Sequence, residues 1–255
     1  MIEIRNVDKK YGKIYALKNV SFNIKEGKIA VYIKDNYLVA NNLGREYRVI
    51  KVKDIPITLK GSLKFNIENS MAACAALVGL KVDYSMIKIG LLNFKLNSVE
   101  NSGRFNMYDY NGINVILDYG HNIEGYKKVL PTLGSINKVI GVIGVPGDRS
   151  DYVAKSIGRI SSEFLDKIII KEDKDKRGRK NGEVAQLIKE GILSNNKNIP
   201  FKVILDEVEA LKEAINQSDS GDTIIVFFEK INRLIEVLKN EKSNNEKLGN
   251  VVNSN

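Results

Sequence analysis

Five short apolar runs punctuate the second half of the chain: INVILD (113–118), KVIGVIG (138–144), DKIIIKE (166–172), PFKVILD (200–206) and DTIIVFF (222–228). Each is nearly continuous rather than alternating, the pattern of a strand buried on both faces. Between and after them lie stretches with helical spacing: IEGYKKVLPTLG, SDYVAKSIGRISSEF, GEVAQLIKEGIL, EVEALKEAINQ and INRLIEVLK. Strands alternating with amphipathic helices predict a mainly parallel sheet covered on both sides, a Rossmann-like α/β domain over about 102–240. The first half reads differently. Residues 1–28 resolve into short strands joined by turns, and 29–59 stay β-like through IAVYI, YLVA and YRVIKV, with a turn near Ile55-Pro56. FNIENSMAACAALVGL then predicts an Ala-rich helix ending at Gly79, and a second helix is expected over about Ser85–Phe94. The polar link SVENSGR leads into the α/β domain, so 29–101 forms a segment of β-strands and two helices. Residues 241–255 are almost wholly polar and are expected to form a disordered tail.

Composition narrows the class. At 43% hydrophobic and 28% charged, 255 residues suffice for ordinary globular cores. No apolar run reaches the ~18 residues of a membrane span, and the first residues lack a secretory apolar region, so a cytoplasmic protein without a membrane partner is expected. The one cysteine, Cys74, provides neither an internal disulfide nor a zinc site, and no metal site is assigned. A net charge of +9 suits an anionic partner, or simply a lysine-rich solvated surface. No zinc-finger spacing, RNA-binding aromatic pattern or helix-turn-helix stands out, so nucleic acid is not the expected partner.

Open parallel sheets bind ligands beyond the carboxyl ends of their strands. Three polar clusters fall there: Asp118 with Tyr119, His121 and Asn122 after the first run; Val145-Pro146-Gly147-Asp148 after the second; Glu172-Asp173 after the third. His121 is the only histidine in the chain. A glycine turn such as GVPGDR also lets backbone N–H groups approach an anion.

These stretches resemble the C-terminal domain of the Mur ligase superfamily and, within it, the cyanophycin synthetases. The matching segments are SGRFN (102–106), LDYGHN (117–122), GVIGVPGDRSD (141–151) and IIIKEDKDKRGRKNGEVAQLI (168–188), of which EDKDKRGRKNGE is the most specific. Upstream, IPITLKGSLKFNIENSMAACAALVGL (55–80) resembles the end of that family's central ATPase domain, making 29–101 a remnant of it. The resemblance implies an ATP-dependent amide ligase that forms an acyl phosphate, attacked by an amine, to add aspartate and arginine to a poly-aspartate backbone. ATP and Mg2+ are the implied cofactors. It places Asn66, Asn69, Arg104, Asp118, His121 and Asn122 at the nucleotide, and Asp148, Arg149, Asp173, Arg177 and Arg179 at the acceptor amino acid or arginyl-aspartyl polymer. No residue emerges as a general base. Each assignment has a structural alternative. Asp118 can cap the next helix, Asn66 and Asn69 can cap the Ala-rich helix, His121 can be a hydrogen-bonded structural histidine, and KEDKDKRGRK can be a solvated loop.

Departures from the family pattern are equally informative. The usual alanine before the histidine is Gly120, the proline after the asparagine is Ile123, and the histidine before the first Asn of Asn-x-x-Asn is Phe65. No G-x-x-x-x-G-K-[ST] phosphate loop occurs in the 255 residues, so the chain is expected to be catalytically incomplete alone and to work with a complementary ligase subunit. Residues 1–28 resemble instead the opening strands of an ABC-transporter ATPase, with Tyr11 at the adenine-stacking aromatic, although no LSGGQ-type signature follows. The alternatives are a non-catalytic nucleotide- or polymer-binding module and an ABC ATP-binding subunit.

Overall fold

The structure, a computed structural model, describes residues 2–11, 14–24, 29–97, 99–134, 138–195 and 198–239, and over 2–24 only the backbone. The expected tail at 241–255 and the side chain of Tyr11 lie outside the described residues. The chain divides into two compact units, Met1–Phe94 and Lys95–Asn255.

In the first unit, β1 (Ile2–Tyr11) and β2 (Ile14–Ile24) form an antiparallel pair whose register slips three times. A separate antiparallel sheet follows, β3 (Ile29–Lys34), β4 (Tyr37–Asn42) and β5 (Arg45–Lys51), in that order. The two-residue turns between them hold positive φ at Asp35 and Asn36 (52° and 61°) and at Leu43 and Gly44 (53° and 84°). Such paired left-handed residues match the twist of the flanking strands. The middle strand buries Leu38, Val39 and Ala40. Helix α1 (Lys64–Gly79) lies against β3 and β4, burying Asn66, Ser70, Cys74 and Val78, one residue per turn. Helix α2 (Tyr84–Asn93) packs on β5 and is capped by Asp83, whose carboxylate accepts the Ser85 N–H at 2.7 Å. Both helices fall where the pattern places them, but α1 starts after Leu63 with no side-chain cap, so neither Asn66 nor Asn69 caps it.

The second unit carries a six-stranded sheet in the order β10-β9-β8-β11-β7-β6. Its parallel members are the five apolar runs: β7 (Ile113–Asp118), β8 (Val139–Ile143), β9 (Lys167–Ile170), β10 (Phe201–Val203) and β11 (Thr223–Phe227). The sequence pattern did not distinguish β6 (Asn106–Tyr110), an antiparallel edge strand joined to β7 by the Asn111-Gly112 turn. Helix α6 (Glu207–Asn216) and the helix at 231–239, α7, close one face over Val115, Leu117, Ile140, Val142, Ile224 and Val226. On the other face Tyr126 of α3 (Ile123–Val129) stacks on Phe227 with ring centroids 3.7 Å apart. Helices α4 (Asp151–Phe164) and α5 (Glu183–Leu193) pack backbone to backbone. A Cβ at Gly158 would lie 2.1 Å from the Ile188 carbonyl oxygen, and one at Gly191 would lie 2.0 Å from that of Lys155.

Candidate functional site at the strand ends

The carboxyl ends of β7, β8, β9 and β11 meet around a water-sized cavity of about 20 Å³, lined by Tyr119, His121, Lys171, Asp173, Arg177 and Glu229 among others. Asp118 ends β7 inside the protein, 5% exposed. Its two oxygens accept the N–H groups of Phe105 at 2.9 Å and Gly120 at 2.7 Å, tying the segment before β6 to the segment after β7. Burial raises its carboxyl pKa, and the two N–H donors and Arg104 only partly oppose that. Asp118 does not cap α3. That role belongs to Asn122, whose side-chain oxygen accepts the Gly125 N–H at 2.8 Å. Gly120 also has a local cause: a Cβ there would come within 2.9 Å of the Phe227 ring. The alanine usual in the family at this position has no room in this packing.

Outside that buried anchor the surface is aromatic and cationic. The exposed guanidinium of Arg104 sits 5.6 Å from the Tyr119 ring centroid, and Tyr119 approaches His121 (5.0 Å) and Phe228 (5.7 Å). His121 Nδ1 lies 2.9 Å from the Tyr119 carbonyl. A carbonyl can only accept, so Nδ1 carries the hydrogen and Nε2 is the acceptor of the neutral ring.

The third strand end contains a charge that the sequence reading passed over. Lys171 is 1% exposed, and its ammonium contacts Asp173 and Glu207, each at 2.8 Å. Burial alone would lower its pKa, but the two carboxylates outweigh that and hold it above the ordinary lysine value. Glu207, at the start of α6, in turn accepts the backbone N–H groups of Glu229 and Lys230. The tips of β9 and β11 are thereby joined through one buried cation.

The arginine-rich stretch, read as a surface for an acceptor, is largely a clamp. Arg179 donates from Nε to the Gly147 carbonyl and from Nη2 to the Arg149 carbonyl (both 2.8 Å), and it pairs with Asp151 (2.7 Å) and Glu183 (2.8 Å). With its fork engaged by these groups, Arg179 fastens the two loops to each other. Glu172 does the same from the other side, accepting the Ala185 N–H at 2.9 Å, the Gly182 N–H at 3.0 Å and the Lys176 ammonium at 2.9 Å. Burial pushes its pKa up, yet these partners prevail and lower it. Gly147 belongs to the same closure, since a Cβ there would lie 2.1 Å from the Lys176 carbonyl oxygen. Arg177 pairs with Asp148 at 2.9 Å on the surface. Arg149 differs from both. Its Nε is buried without a hydrogen-bond partner, and among the described residues its guanidinium has no ion pair.

Asn66 and Asn69 lie in the first unit. Asn66, 4% exposed, donates to the Ile57 carbonyl at 2.7 Å and accepts from Asn69 at 3.2 Å. Both carboxamides serve internal bonds there. Among the described residues no group of three or more His, Cys, Asp or Glu is placed to hold a metal ion. No described helix is long and apolar enough to cross a membrane.

The family model for the glutamate ligase domain of Mur ligases matches residues 103–227, the span that contains all four strand ends. Residues 103–227 belong to the Mur ligase family. It is 37% identical over 220 residues to the cyanophycin synthetase of Geminocystis herdmanii (84% of this chain, 25% of that protein). It is 35% identical over 221 residues to that of Synechocystis sp. (86% of this chain, 25% of that protein). The chain thus spans about a quarter of the length of these relatives. Among solved structures, Escherichia coli FolC in complex with ADP aligns with a TM-score of 0.61 at 19% identity, over 86% of this chain and 48% of FolC. The Mur ligase domain here shares that fold.

Proposed function

We propose that the Mur ligase domain serves ATP-dependent amide ligation of the cyanophycin synthetase type. In this reading an aspartate or arginine amine attacks an acyl phosphate on a poly-aspartate backbone, and the domain provides one rim of the nucleotide site together with the acceptor surface. The observation that carries it is the meeting of an aromatic-cationic surface (Arg104, Tyr119, His121) and a mixed-charge surface (Asp148, Arg177) around one strand-end cavity. A planar base suits the Tyr119 and His121 faces, and the Arg104 fork suits phosphate oxygens. The cavity is far smaller than a nucleotide, so the nucleotide lies along the rim, as befits a lid. Asp118 sets that rim, and each of its oxygens keeps a lone pair that can accept from a ribose hydroxyl. Arg149, without an internal partner, is the cation available to an acceptor carboxylate. FolC, of the same fold, was solved with ADP, which fits a nucleotide reading.

The chain's 255 residues contain no G-x-x-x-x-G-K-[ST], so the γ-phosphate and magnesium must be held by another polypeptide segment. Losing such preorganised charge stabilisation costs on the order of 3–4 kcal/mol of barrier per donor group. The isolated chain is therefore expected to bind but not to turn over. Titration calorimetry with ATP and with a short arginyl-aspartyl peptide tests this, with weaker ATP binding expected in Arg104→Ala and weaker peptide binding in Arg149→Ala. Absence of heat with both ligands removes the binding half of the proposal. Aspartate- and arginine-dependent ADP release by the purified chain removes the incompleteness.

A further inference from the structure

The first unit has a groove of about 710 Å³ that none of the ligase reading uses. We infer that this groove, walled by Lys51, Lys53 and Lys60, is a binding site for an oligophosphate chain, either free or as the tail of a larger molecule.

Its floor is apolar, formed by Ile33, Val52 and Ile67, and its volume falls in the range of small-molecule sites. All three lysines are exposed, and among the described residues none has a carboxylate within ion-pair distance. Among the described residues that line it the one acid, Asp35, is already taken by Arg48 at 2.7 Å. Lys51 leans over the Tyr37 ring, 5.6 Å from its centroid, and so finds an aromatic face in place of an anion. Like charges gathered without compensation repel one another, and here they share one concave surface. An ammonium is a compact point charge that suits phosphate oxygens, and three of them match a ligand with several adjacent anionic groups better than they match a single carboxylate.

The backbone supplies a separate indication. Leu59 and Lys60 are consecutive non-glycine residues at positive φ (45° and 57°), followed by Gly61 at 95°. Conformations of this kind cost of order 1 kcal/mol or more each and gather where a chain must present a particular surface. Here they swing Lys60 and Gly61 into the groove wall, with Thr58 bracing the turn through its hydroxyl, which accepts the Gly61 N–H at 3.1 Å.

This inference is independent of the nucleotide rim of the second unit, and the test separates them. The full chain is titrated with inorganic tripolyphosphate, ATP and adenosine. Tripolyphosphate and ATP are expected to shift the amide resonances of residues 51–53 and 60–61, and adenosine is not. The variant K51Q/K53Q/K60Q is expected to weaken tripolyphosphate binding about tenfold or more. The control K81Q/K88Q/K95Q removes the same charge from exposed positions off the groove and is expected to keep binding within about twofold. Circular dichroism verifies that both variants are folded. No tripolyphosphate binding by the native chain, or equal loss in the two variants, overturns the proposal. An adenosine-dependent signal confined to Tyr119 and His121 belongs to the other site, whereas an adenosine-dependent shift at residues 51–53 and 60–61 overturns the oligophosphate reading.

Discussion

Replacing Lys171 by methionine removes the positive member of a buried triad and keeps its hydrocarbon stem. What remains is Asp173 and Glu207, with side chains 8% and 7% exposed, each deprived of a partner at 2.8 Å. Breaking a buried ion pair from one side costs roughly 3–5 kcal/mol, because the remaining charge is left unpaired in a poorly solvated place. Two charges remain here, so the upper part of that range is expected, a large share of a stability of about 5–15 kcal/mol. With a urea m-value of about 2 kcal/mol/M, the unfolding midpoint should fall by roughly 2–2.5 M. Adding Asp173→Asn to the variant should recover part of the loss. Urea titrations of the native chain, the single and the double variant, followed by far-UV circular dichroism at pH 7.5, provide the measurement. A midpoint shift below about 0.5 M, or no recovery in the double variant, would refute the placement of Lys171 as the shared cation.

Three further outcomes follow from the same geometry. Glu172→Gln opposes an amide N–H to backbone or ammonium donors and should cost roughly 1–3 kcal/mol; since the folded pKa of Glu172 is lowered, its contribution is present above the unfolded value near ~4.3 and lost as pH falls through the lower folded value, so the gap to the variant should be flat above about pH 5 and narrow below it in acid titrations. Gly191→Ala drives a methyl against the Lys155 carbonyl oxygen, 2.0 Å from the ideal Cβ, and should destabilise by roughly 1–3 kcal/mol or more, read as a fall in Tm by calorimetry. Arg179→Lys cannot span the Gly147 and Arg149 carbonyls together; amide exchange over 147–151 should accelerate while the exchange of β8 stays slow, and unchanged exchange in that loop would count against the clamp.

How far the molecule could be read from its residues depended on the range of the forces involved. The five parallel strands were legible because burial on both faces leaves an unbroken apolar run, a signal contained within six or seven residues. The edge strand β6 alternates in burial and lies beside solvent, so NMYDY carried little hydrophobic signal. The Asn111-Gly112 pair that turns it into β7 was the clue available. The helix caps were nearly legible: Asn122 rather than Asp118 starts α3, a difference of four residues that the hydrogen bonds decide and composition does not. Lys171 was out of reach. Between Ile170 and Glu172 it reads as the first charge of a solvated loop, and its second partner, Glu207, is 36 residues away in sequence. The same limit hid the difference among the arginines, because the contacts that occupy Arg179 and Arg177 come from 28 to 32 residues upstream.

That difference changes what the most specific stretch of the sequence means. EDKDKRGRKNGE gives the family resemblance its sharpest edge, yet Glu172, Lys176, Arg179 and Glu183 spend their charges on one another and on the neighbouring chain. A recurring charged motif is as well explained by a loop that must be fastened as by a ligand that must be held. The charges face two different demands. Those buried beneath the strand ends, Asp118, Lys171, Glu172 and Glu207, have partners within about 3 Å and fix the positions of backbone segments. Groups above them with donors or acceptors to spare, Arg104, His121 Nε2 and Arg149, have nothing comparable to satisfy. Buried charge is tolerable only when paired, so the anchors cannot be given up to a passing ligand without several kcal/mol of penalty. Ligand affinity should therefore respond to Arg104, His121 and Arg149 with the fold left intact, whereas the anchors should alter stability first and affinity only through the loops they hold.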